Sequence, residues 1–262
     1  MNATTERRQL RLETDVRTIV ERWGDAGPAV LCVHGIGSSR LDFARLGEAL
    51  SSTHRVFAYD QRGHGESGAH DAAMDLGALA NDLRAVADAI GTVAVVVGHS
   101  WGGAVALVGG PRIAASLVLV DPLLRIPPRT FDADYVDDLA PVLALAPGAE
   151  RESAIRAMFA DADARDREMK VHALATARTG TLHRLGRHNH VDAGGWDLRE
   201  RLAALRVPAT ILVAGDDSVI AADDIARVAP QVRVEHVAGH GHTLHRTAPE
   251  VLAEAVRAAA DA

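Results

Sequence analysis

A serine between two glycines, in Gly98-His99-Ser100-Trp101-Gly102, carries the clearest chemistry in this sequence. An apolar run that ends at Val97 precedes it, and small and apolar residues follow it as far as Val108. This pattern predicts a strand, a sharp turn and a helix. Glycines on both sides of such a turn allow the strand and the helix to pass closely. A serine held there projects its hydroxyl above the edge of a sheet, so Ser100 is the predicted nucleophile.

A histidine near the end of the chain is the predicted base for this serine. A serine hydroxyl is a weak nucleophile at neutral pH and needs a base within hydrogen-bonding reach. The segment Gly239-His240-Gly241-His242 follows the last predicted strand. His242 is the favoured base because Gly241 permits a close approach of the loop, and His240 is the alternative. His245 is interpreted as a residue at a helix start or at the edge of a pocket.

Three aspartates are candidates for the carboxylate that holds the base in the correct tautomer. Asp217 is the favoured residue and Asp216 is the first alternative, since both follow the predicted strand Thr210–Ala214. Asp121 is the third candidate, at the end of the run Leu117–Val120, although a loop residue before a proline is the simpler interpretation. The sequence leaves the choice among the three open.

Backbone N–H groups are the expected donors to the negative charge that develops on a substrate carbonyl oxygen. Trp101, directly after the serine, provides one predicted donor. The amide of Ile36 provides the other, in the loop after the first buried strand. His34 is expected to orient this loop by a side-chain hydrogen bond, and His34 and Gly35 are also predicted to contact substrate.

The elements that position these residues alternate between strand and helix. This alternation predicts an α/β fold with a mostly parallel, twisted, eight-stranded sheet and helices on both faces. The predicted strands are Arg8–Glu13, Val16–Trp23, Ala29–Val33, Arg55–Tyr59, Val93–Val97, Ile113–Val120, Ala209–Ala214 and Val232–Val237. The predicted helices outside the insertion include Leu41–Leu50, Asp75–Ile90, Asp223–Val228 and Glu250–Ala260.

The strand rhythm is interrupted between two late strands. Residues 122–206 are a predicted helical cap, and residues 1–121 and 207–262 are the predicted core. Such a cap covers the carboxyl edge of the sheet, where ligands bind in open α/β folds. Its apolar wall candidates, of which few are expected to touch ligand, are Leu123, Leu124, Ile126, Phe131, Tyr135, Met158, Phe159, Met169 and Trp196. Leu124, Phe131 and Trp196 are the ones predicted to bind substrate.

A run of basic residues in the cap, from His183 to His190, is cationic at low pH. It is able to receive a carboxylate of the substrate. A solvated outer face of the cap is the favoured interpretation.

Composition excludes several other classes of protein. The 262 residues are 48% hydrophobic, which suits one α/β domain with a sizeable core. The net charge is −7, and the basic residues are interspersed with acids, so no nucleic-acid partner is expected. Cys32 is the only cysteine, which excludes an internal disulfide. No apolar stretch reaches about 18 residues, and the N-terminus lacks an apolar signal region. We therefore expect a cytoplasmic monomer or homodimer with no membrane partner, no metal and no cofactor.

Four motifs together resemble the α/β-hydrolase superfamily. They are His34-Gly35-x-Gly37, Asp60-x-Arg62-Gly63-His64-Gly65-x-Ser67, Gly98-x-Ser100-x-Gly102-Gly103 and Gly239-x-Gly241-His242. The chain is most similar to small cap-bearing members such as enol-lactonases, cofactor-free haloperoxidase/esterases, C–C bond hydrolases and lipase-like esterases. The resemblance implies the α/β-hydrolase fold, with Ser100 as nucleophile, His242 as base and the Ile36 and Trp101 amides as the oxyanion hole. It implies that Arg62 and His64 hold loops.

The chain departs from the family pattern at the acid. The family acid usually stands three residues after the glycine that ends its strand, and here that residue is Ser218, with Asp217 one residue early. Either the loop is one residue shorter here, or the acid has moved to Asp216 or Asp121. The serine at the turn also separates the chain from haloalkane dehalogenases and epoxide hydrolases, which resemble this pattern but carry an aspartate there.

The predicted function is hydrolysis of a small or medium carboxylic ester, thioester or lactone through an acyl-enzyme on Ser100. The expected substrate is a small molecule with an apolar part, because pockets of this fold are mostly apolar with a few polar groups. Two alternatives remain open. One is a C–C bond hydrolase of a vinylogous diketone, and the other is a non-catalytic ligand-binding member of the fold.

Overall fold

The computed structural model describes residues 5–68, 73–126, 134–177, 179–215 and 217–261. Its strands, in chain order, are β1 Thr5–Arg11, β2 Arg17–Trp23, β3 Ala29–Val33, β4 Arg55–Tyr59, β5 Val93–His99, β6 Ala114–Val120, β7 Arg125–Ile126, β8 Trp196–Asp197, β9 Ala209–Ala214 and β10 Arg233–Val237. All eight predicted strands are present, with bounds that differ by up to three residues.

Eight strands form one sheet in the order β1-β2-β4-β3-β5-β6-β9-β10. The pairs β1–β2 and β2–β4 are antiparallel. All pairs from β4 to β10 are parallel, so their carboxyl ends meet at one edge. This confirms the predicted fold class. The strand order sets the end of β6 between the ends of β5 and β9.

Helices cover both faces of the sheet. In chain order they are α1 Ala44–Leu50, α2 Leu76–Ile90, α3 Trp101–Gly109, α4 Asp134–Leu143, α5 Ala149–Met158, α6 Ala164–Leu174, α7 Thr179–Arg187, α8 Arg199–Ala203, α9 Ala222–Val228, α10 Leu244–Thr247 and α11 Pro249–Ala260. None of the helices in the described ranges combines the length and apolar character needed to cross a bilayer.

The alternation of side chains along β3 divides the core in two. Leu31 and Val33 pack in a cluster with residues of α2 and α3. Val30 and Cys32 point to the other face and pack with residues of α1 and α11. All four side chains are fully buried, as expected for a parallel strand with helices on both faces. The interior strands are thereby fixed, and the residues that follow them are held at one edge.

The segment between β6 and β9 is mostly helical. Helices α4 to α7 enclose a third apolar cluster that includes Leu139, Ile155 and Leu174. The strands β7 and β8 pair where this segment leaves and rejoins the sheet. The two-residue strands β7 and β8 are not predicted from the sequence, because two residues are too few to show a period. Helix α7 is not predicted either. The division into a core and a cap at residues 122 and 206 stays a prediction.

Candidate active site

Ser100 lies at a strained turn between β5 and α3. Its φ is +53°, a region that non-glycine residues rarely adopt. A Cβ at Gly98 would lie 2.5 Å from the Gly102 carbonyl oxygen, and a Cβ at Gly102 would lie 2.2 Å from the Val33 carbonyl oxygen. Both contacts are shorter than any side chain tolerates. The close passage of strand and helix predicted from the two glycines is therefore present.

The loop after β3 lies directly against this turn. A Cβ at Gly35 would lie 3.4 Å from the Ser100 Cβ, so the backbone approaches the serine closely. Ile36 lines the same cavity as Ser100. Trp101 is the first residue of α3, and the first N–H groups of a helix have no acceptor within it. Both predicted oxyanion-hole residues are thus adjacent to the serine.

The His34 side chain fixes the loop after β3 through two hydrogen bonds. It is fully buried, its Nδ1–H donates to the Gly35 carbonyl oxygen at 2.7 Å, and its Nε2 accepts from the Gln61 N–H at 3.0 Å. Burial lowers the pKa of His34, which favours the neutral ring that this pattern requires. These contacts match the predicted orienting role. Gly35 is among the residues that line the cavity at Ser100 and His34 is not, so substrate contact by His34 stays a prediction.

His242 lines that cavity and is paired with a carboxylate, but the carboxylate is Asp121. The His242 Nδ1–H donates to Asp121 Oδ2 at 2.6 Å. Among the described residues, no hydrogen bond joins Ser100 Oγ to the imidazole, although both line one cavity. Catalytic contacts of this kind often become short only when substrate is bound.

The hydrogen bonds that the Asp121 carboxylate accepts favour its ionised form. Asp121 is fully buried, has a φ of +41°, and accepts the His242 bond together with those of Ser218 Oγ and the Val219 N–H, at 2.5 and 3.1 Å. Burial alone raises the pKa of Asp121. The hydrogen bonds from His242, Ser218 and Val219 outweigh burial, and the pKa lies below its usual value.

The preference for Asp217 as the partner of the imidazole is therefore corrected in favour of Asp121. The Asp217 carboxylate accepts the backbone N–H of His242 at 2.6 Å, and a Cβ at Gly241 would lie 2.6 Å from Asp217 Oδ1. It holds the histidine loop and not the imidazole. Asp216 lies outside the described residues.

Ser218 explains the departure from the family pattern. This residue stands where the acid was expected, and its hydroxyl donates to Asp121 Oδ1. The carboxylate thus comes from the end of β6, while the position after β9 supplies a hydrogen-bond donor to it. The anomaly at Ser218 was the sequence signal that pointed away from Asp217.

A cavity of about 410 Å³ adjoins Ser100 and His242. Leu123 and Phe159, two of the wall candidates from the insertion, line it. Leu124 lies elsewhere, in a separate depression beside Ile225. Trp196 packs against the Trp101 ring with centroids 4.9 Å apart and does not line the cavity. Phe131 lies outside the described residues.

A buried polar cluster beside the turn was missed from the sequence. His99 donates its Nε2–H to the His242 carbonyl oxygen at 2.9 Å, and its ring lies beside the His245 ring, with centroids 3.9 Å apart and planes tilted by 36°. His245 Nε2 lies 3.5 Å from Asp42 Oδ2. Burial, followed by the charges of His245 and His242, lowers the pKa of His99 well below its usual value. These side chains come from three distant segments, so no local motif announces them.

The basic run at the end of α7 contacts the core. His188 Nδ1 accepts the Met74 N–H at 3.1 Å, and Asn189 Oδ1 accepts the Leu76 N–H at 3.0 Å. Asn189 is 1% exposed. This part of the run fastens the insertion to the start of α2. The favoured interpretation as a solvated face does not hold for these two residues.

Two groups of side chains in the described ranges come close enough to share a cation. Asp42, His99 and His245 form one, and Asp60, Glu66 and His172 form the other. In the second group, the Arg40 guanidinium pairs with Asp60 at 2.7 Å and with Glu66 at 3.0 Å, so the side chain of Arg40 takes the place that a metal ion would need. In the first group, the His99 Nε2–H donates to the His242 carbonyl oxygen at 2.9 Å, and His245 Nε2 lies 3.5 Å from Asp42 Oδ2.

Comparison with known proteins agrees with this geometry. A sequence model described as the alpha/beta hydrolase family matches residues 30–255. The chain is similar to a Variovorax paradoxus (strain S110) protein that is provisionally assigned as carbamate hydrolase RutD. The two are 32% identical over 214 residues, which cover 74% of this chain and 76% of that protein. The chain is 28% identical over 262 residues to the magnesium-chelatase 30 kDa subunit of Rhodobacter capsulatus, with 86% of this chain and 84% of that subunit covered.

A solved structure is similar over almost the whole chain. The N-formylmaleamic acid deformylase of Pseudomonas putida S16 superposes with a TM-score of 0.79 at 25% identity, covering 96% of this chain and 100% of that one. The family match spans most of the chain and includes the strained turn, the loop after β3 and the histidine loop. The protein belongs to the alpha/beta hydrolase family.

Proposed function

We propose that this protein is a serine hydrolase that cleaves a small or medium carboxylic acid derivative through an acyl-enzyme on Ser100. One observation carries the proposal. His242, whose Nδ1 lies 2.6 Å from the buried Asp121 carboxylate, lines the same cavity as the serine at the strained turn. A nucleophile, a base and a carboxylate that orients the base are the groups that acyl transfer by serine requires.

The mechanism follows from the roles of these groups. Ser100 Oγ attacks the substrate carbonyl carbon, and His242 Nε2 accepts the hydroxyl proton. Asp121 accepts the Nδ1–H and so keeps Nε2 available as the proton acceptor. The Trp101 and Ile36 amides stabilise the oxyanion. The bond to the leaving group breaks as His242 protonates it. Water then attacks the acyl-enzyme, gives a proton to His242, and the serine leaves with that proton.

The substrate class combines two lines of support. The sequence predicts an ester, thioester or lactone. Two similar proteins carry the names of a carbamate hydrolase and an N-formylmaleamic acid deformylase, and carbamates and N-formyl groups both contain a carbonyl–nitrogen bond. The same acyl-enzyme chemistry serves both bond types, since only the protonated leaving atom differs. We therefore extend the proposal to amides and carbamates of small acids that fit about 410 Å³.

Labelling with a fluorophosphonate, located by mass spectrometry, tests the nucleophile. We expect one adduct, on Ser100, and its loss in Ser100→Ala and in His242→Ala. Hydrolysis of 4-nitrophenyl esters, a thioester, a lactone and an N-formyl amide then ranks the bond types, with a vinylogous diketone included for C–C cleavage. Labelling that persists in Ser100→Ala, or an unlabelled folded protein that turns over no member of the panel, would overturn the proposal.

A second candidate function is binding without turnover. The similarity to a subunit of a magnesium chelatase favours it, since that name describes a component of a complex. The labelling experiment with fluorophosphonate distinguishes the two candidate functions. A binder has no need of an activated serine, so it would bind panel compounds in calorimetry while Ser100 stayed unlabelled.

A further inference from the structure

The residue before the predicted nucleophile contacts the predicted base. His99 lies between Gly98 and Ser100, and its Nε2–H donates to the carbonyl oxygen of His242 at 2.9 Å. We propose that His99 is a positioning residue, which holds the backbone of His242 so that the imidazole presents Nε2 to Ser100. The inference rests on the proposed function and adds a residue that acts on the reaction through the base.

Three side chains hold His242 at three different points. Its backbone N–H donates to Asp217 Oδ1 at 2.6 Å, its Nδ1–H donates to Asp121 Oδ2 at 2.6 Å, and its carbonyl oxygen accepts from His99. Two points define only an axis about which a residue is able to turn, and a third point off that axis fixes its orientation. Without the His99 contact, rotation about the two remaining points moves Nε2 relative to Ser100 Oγ.

His99 is itself held rigidly. It is the last residue of β5, pairs with Val120 of β6 and is 5% exposed, and its ring lies beside the His245 ring. A peptide bond joins His99 to Ser100, so the backbone of one fixed residue places the nucleophile while its side chain places the base. Proton transfer requires these two groups to be held within hydrogen-bonding reach of each other.

The protonation state of His99 suits this role. A carbonyl oxygen only accepts hydrogen bonds, so the ring must carry a proton on Nε2. Its Nδ1 is buried and has no hydrogen-bond partner within the described ranges, so a second proton there would be a buried donor without an acceptor. Burial, followed by the charges of His245 and His242, lowers the pKa of His99, although the Asp42 carboxylate acts to raise it. The ring therefore stays a neutral donor while His242 gains and loses its proton.

Two substitutions of nearly equal size separate the hydrogen bond from the filling of space. His99→Gln is able to place an N–H close to the position of the histidine Nε2–H, whereas His99→Met has a similar length and no donor. We expect His99→Met to lower kcat for the fastest ester of the panel by about 10–100-fold, since a base displaced by about 1 Å costs up to about 100-fold. His99→Gln should stay within about threefold of the native kcat, because it retains the donor.

The division of the loss between kcat and KM identifies the kind of role. A displaced base weakens the transition state and not the binding of substrate, so the loss in His99→Met should fall on kcat much more than on KM. Equal losses in His99→Gln and His99→Met, or a native kcat in His99→Met, would overturn the inference. A change in KM alone would also overturn it, because it would mean that His99 acts on the substrate and not on the base.

A matched control replaces a histidine that is equally buried but lies at the opposite edge of the sheet. His54 is 6% exposed, directly precedes β4, and its Nδ1 lies 2.8 Å from Thr53 Oγ. His54→Met should leave kcat unchanged, because Ser100 lies at the carboxyl edge of the parallel strands and His54 at the amino edge. A fall in kcat as large as that of His99→Met would contradict the inference. Thermal unfolding of each variant verifies that it is folded in the assay.

Nitrogen-15 NMR of the native protein measures the same contact without turnover. We expect the His99 ring to be neutral, with its proton on Nε2, from about pH 5 to 8, the range in which an ordinary histidine titrates. A charged ring in this range, or a proton on Nδ1, would overturn the inference even if no variant folds.

Exchange of the His242 Nδ1 proton separates this inference from the proposed function. A fixed imidazole keeps this proton on the Asp121 carboxylate and protects it from exchange with water. We expect the protection to persist in His99→Gln and to decrease in His99→Met. If fluorophosphonate labels nothing and no ester is cleaved, but this contrast is present, the proposed function fails and the positioning role stands. Labelling of Ser100, with no contrast between the two variants in exchange or in kcat, has the opposite meaning.

Discussion

Replacing Asp121 by asparagine is the sharpest perturbation of the proposed triad. Asp121 Oδ2 accepts the His242 Nδ1–H and the Val219 N–H, and Oδ1 accepts the Ser218 hydroxyl and the Ala214 N–H at 3.3 Å. Each oxygen therefore faces at least one fixed backbone donor. An asparagine must set its NH2 group against one of them. With the NH2 towards the imidazole, Nδ1 becomes an acceptor, Nε2 carries the proton, and His242 is unable to accept the serine proton.

The size of the effect follows from the burial of the pair. Removing one partner of a buried charged pair costs about 3–5 kcal/mol. Asp121 is fully buried, and its charge is needed most when the imidazole becomes protonated in the transition state. A loss of this size corresponds to a fall in kcat of about 10²–10⁴-fold. The fall should appear in kcat more than in KM, because the substrate does not depend on Asp121 for binding.

The assay is steady-state hydrolysis of the fastest ester in the panel, with active sites counted by fluorophosphonate. Asp217→Asn is the matched control, since it changes a carboxylate that accepts only the backbone N–H of His242 among the described contacts. A single hydrogen bond contributes about 0.5–1.5 kcal/mol, so the control should lose about tenfold or less. A larger loss in Asp217→Asn than in Asp121→Asn would refute the reasoning and restore Asp217 as the acid.

Three further changes have expected outcomes of their own. Gly102→Ala puts a Cβ 2.2 Å from the Val33 carbonyl oxygen and should lower the free energy of unfolding in urea by at least about 1–3 kcal/mol, whereas Gly180→Ala, with no atom within 4 Å, should not lower it. The pKa of His99 in the folded protein lies well below the unfolded value of 6.5, so only the unfolded chain takes up this proton and stability falls as the pH drops below about 6.5. In His99→Gln the urea midpoint should therefore fall less between pH 7.5 and 5.0 than in the native protein. An equal fall in both proteins would contradict this. Ser218→Ala removes a bond that lowers the pKa of Asp121, so the acid limb of the pH–rate profile should move to higher pH, and an unmoved limb would mean that the hydroxyl does not tune the carboxylate.

The sheet was predictable because each strand carries its own signal. Strand β3 is a continuous apolar run, and β5 and β6 contain the apolar runs Val93–Val97 and Leu117–Val120, as burial on both faces demands. The amphipathic stripe of α2 ends at Ile90, where the structure also ends the helix. The insertion was harder to predict. Helix α5 carries little apolar pattern, because one of its two buried residues, Arg151, is charged and only Ile155 is apolar.

The positions of Ser100 and His242 were predictable because the turn and the loop that carry them need glycines nearby. The residues that surround them have no such local requirement. Trp196 was predicted to bind substrate as an apolar wall residue of the cap, whereas its Nε1–H donates to the Leu123 carbonyl oxygen at 3.2 Å and its ring packs on Trp101. Lys170 is the only lysine of the chain, and nothing in the neighbouring sequence predicts its place at the cavity wall. Its position depends on how α6 packs over the sheet.

The order of the strands in the sheet, and not the local sequence pattern, determines which carboxylate reaches His242. Asp217 follows β9 one residue before the usual position of the family acid, and a pattern read along the chain prefers it because it is a carboxylate close to that position. In the sheet, β6 lies between β5 and β9, so the Ser100 N–H donates to the Val120 carbonyl oxygen and the Asp121 N–H donates to the Leu212 carbonyl oxygen. The residue after β6 is thereby placed between the serine turn and the loop after β9. A carboxylate at that point reaches the histidine, and the position after β9 needs only a donor such as Ser218.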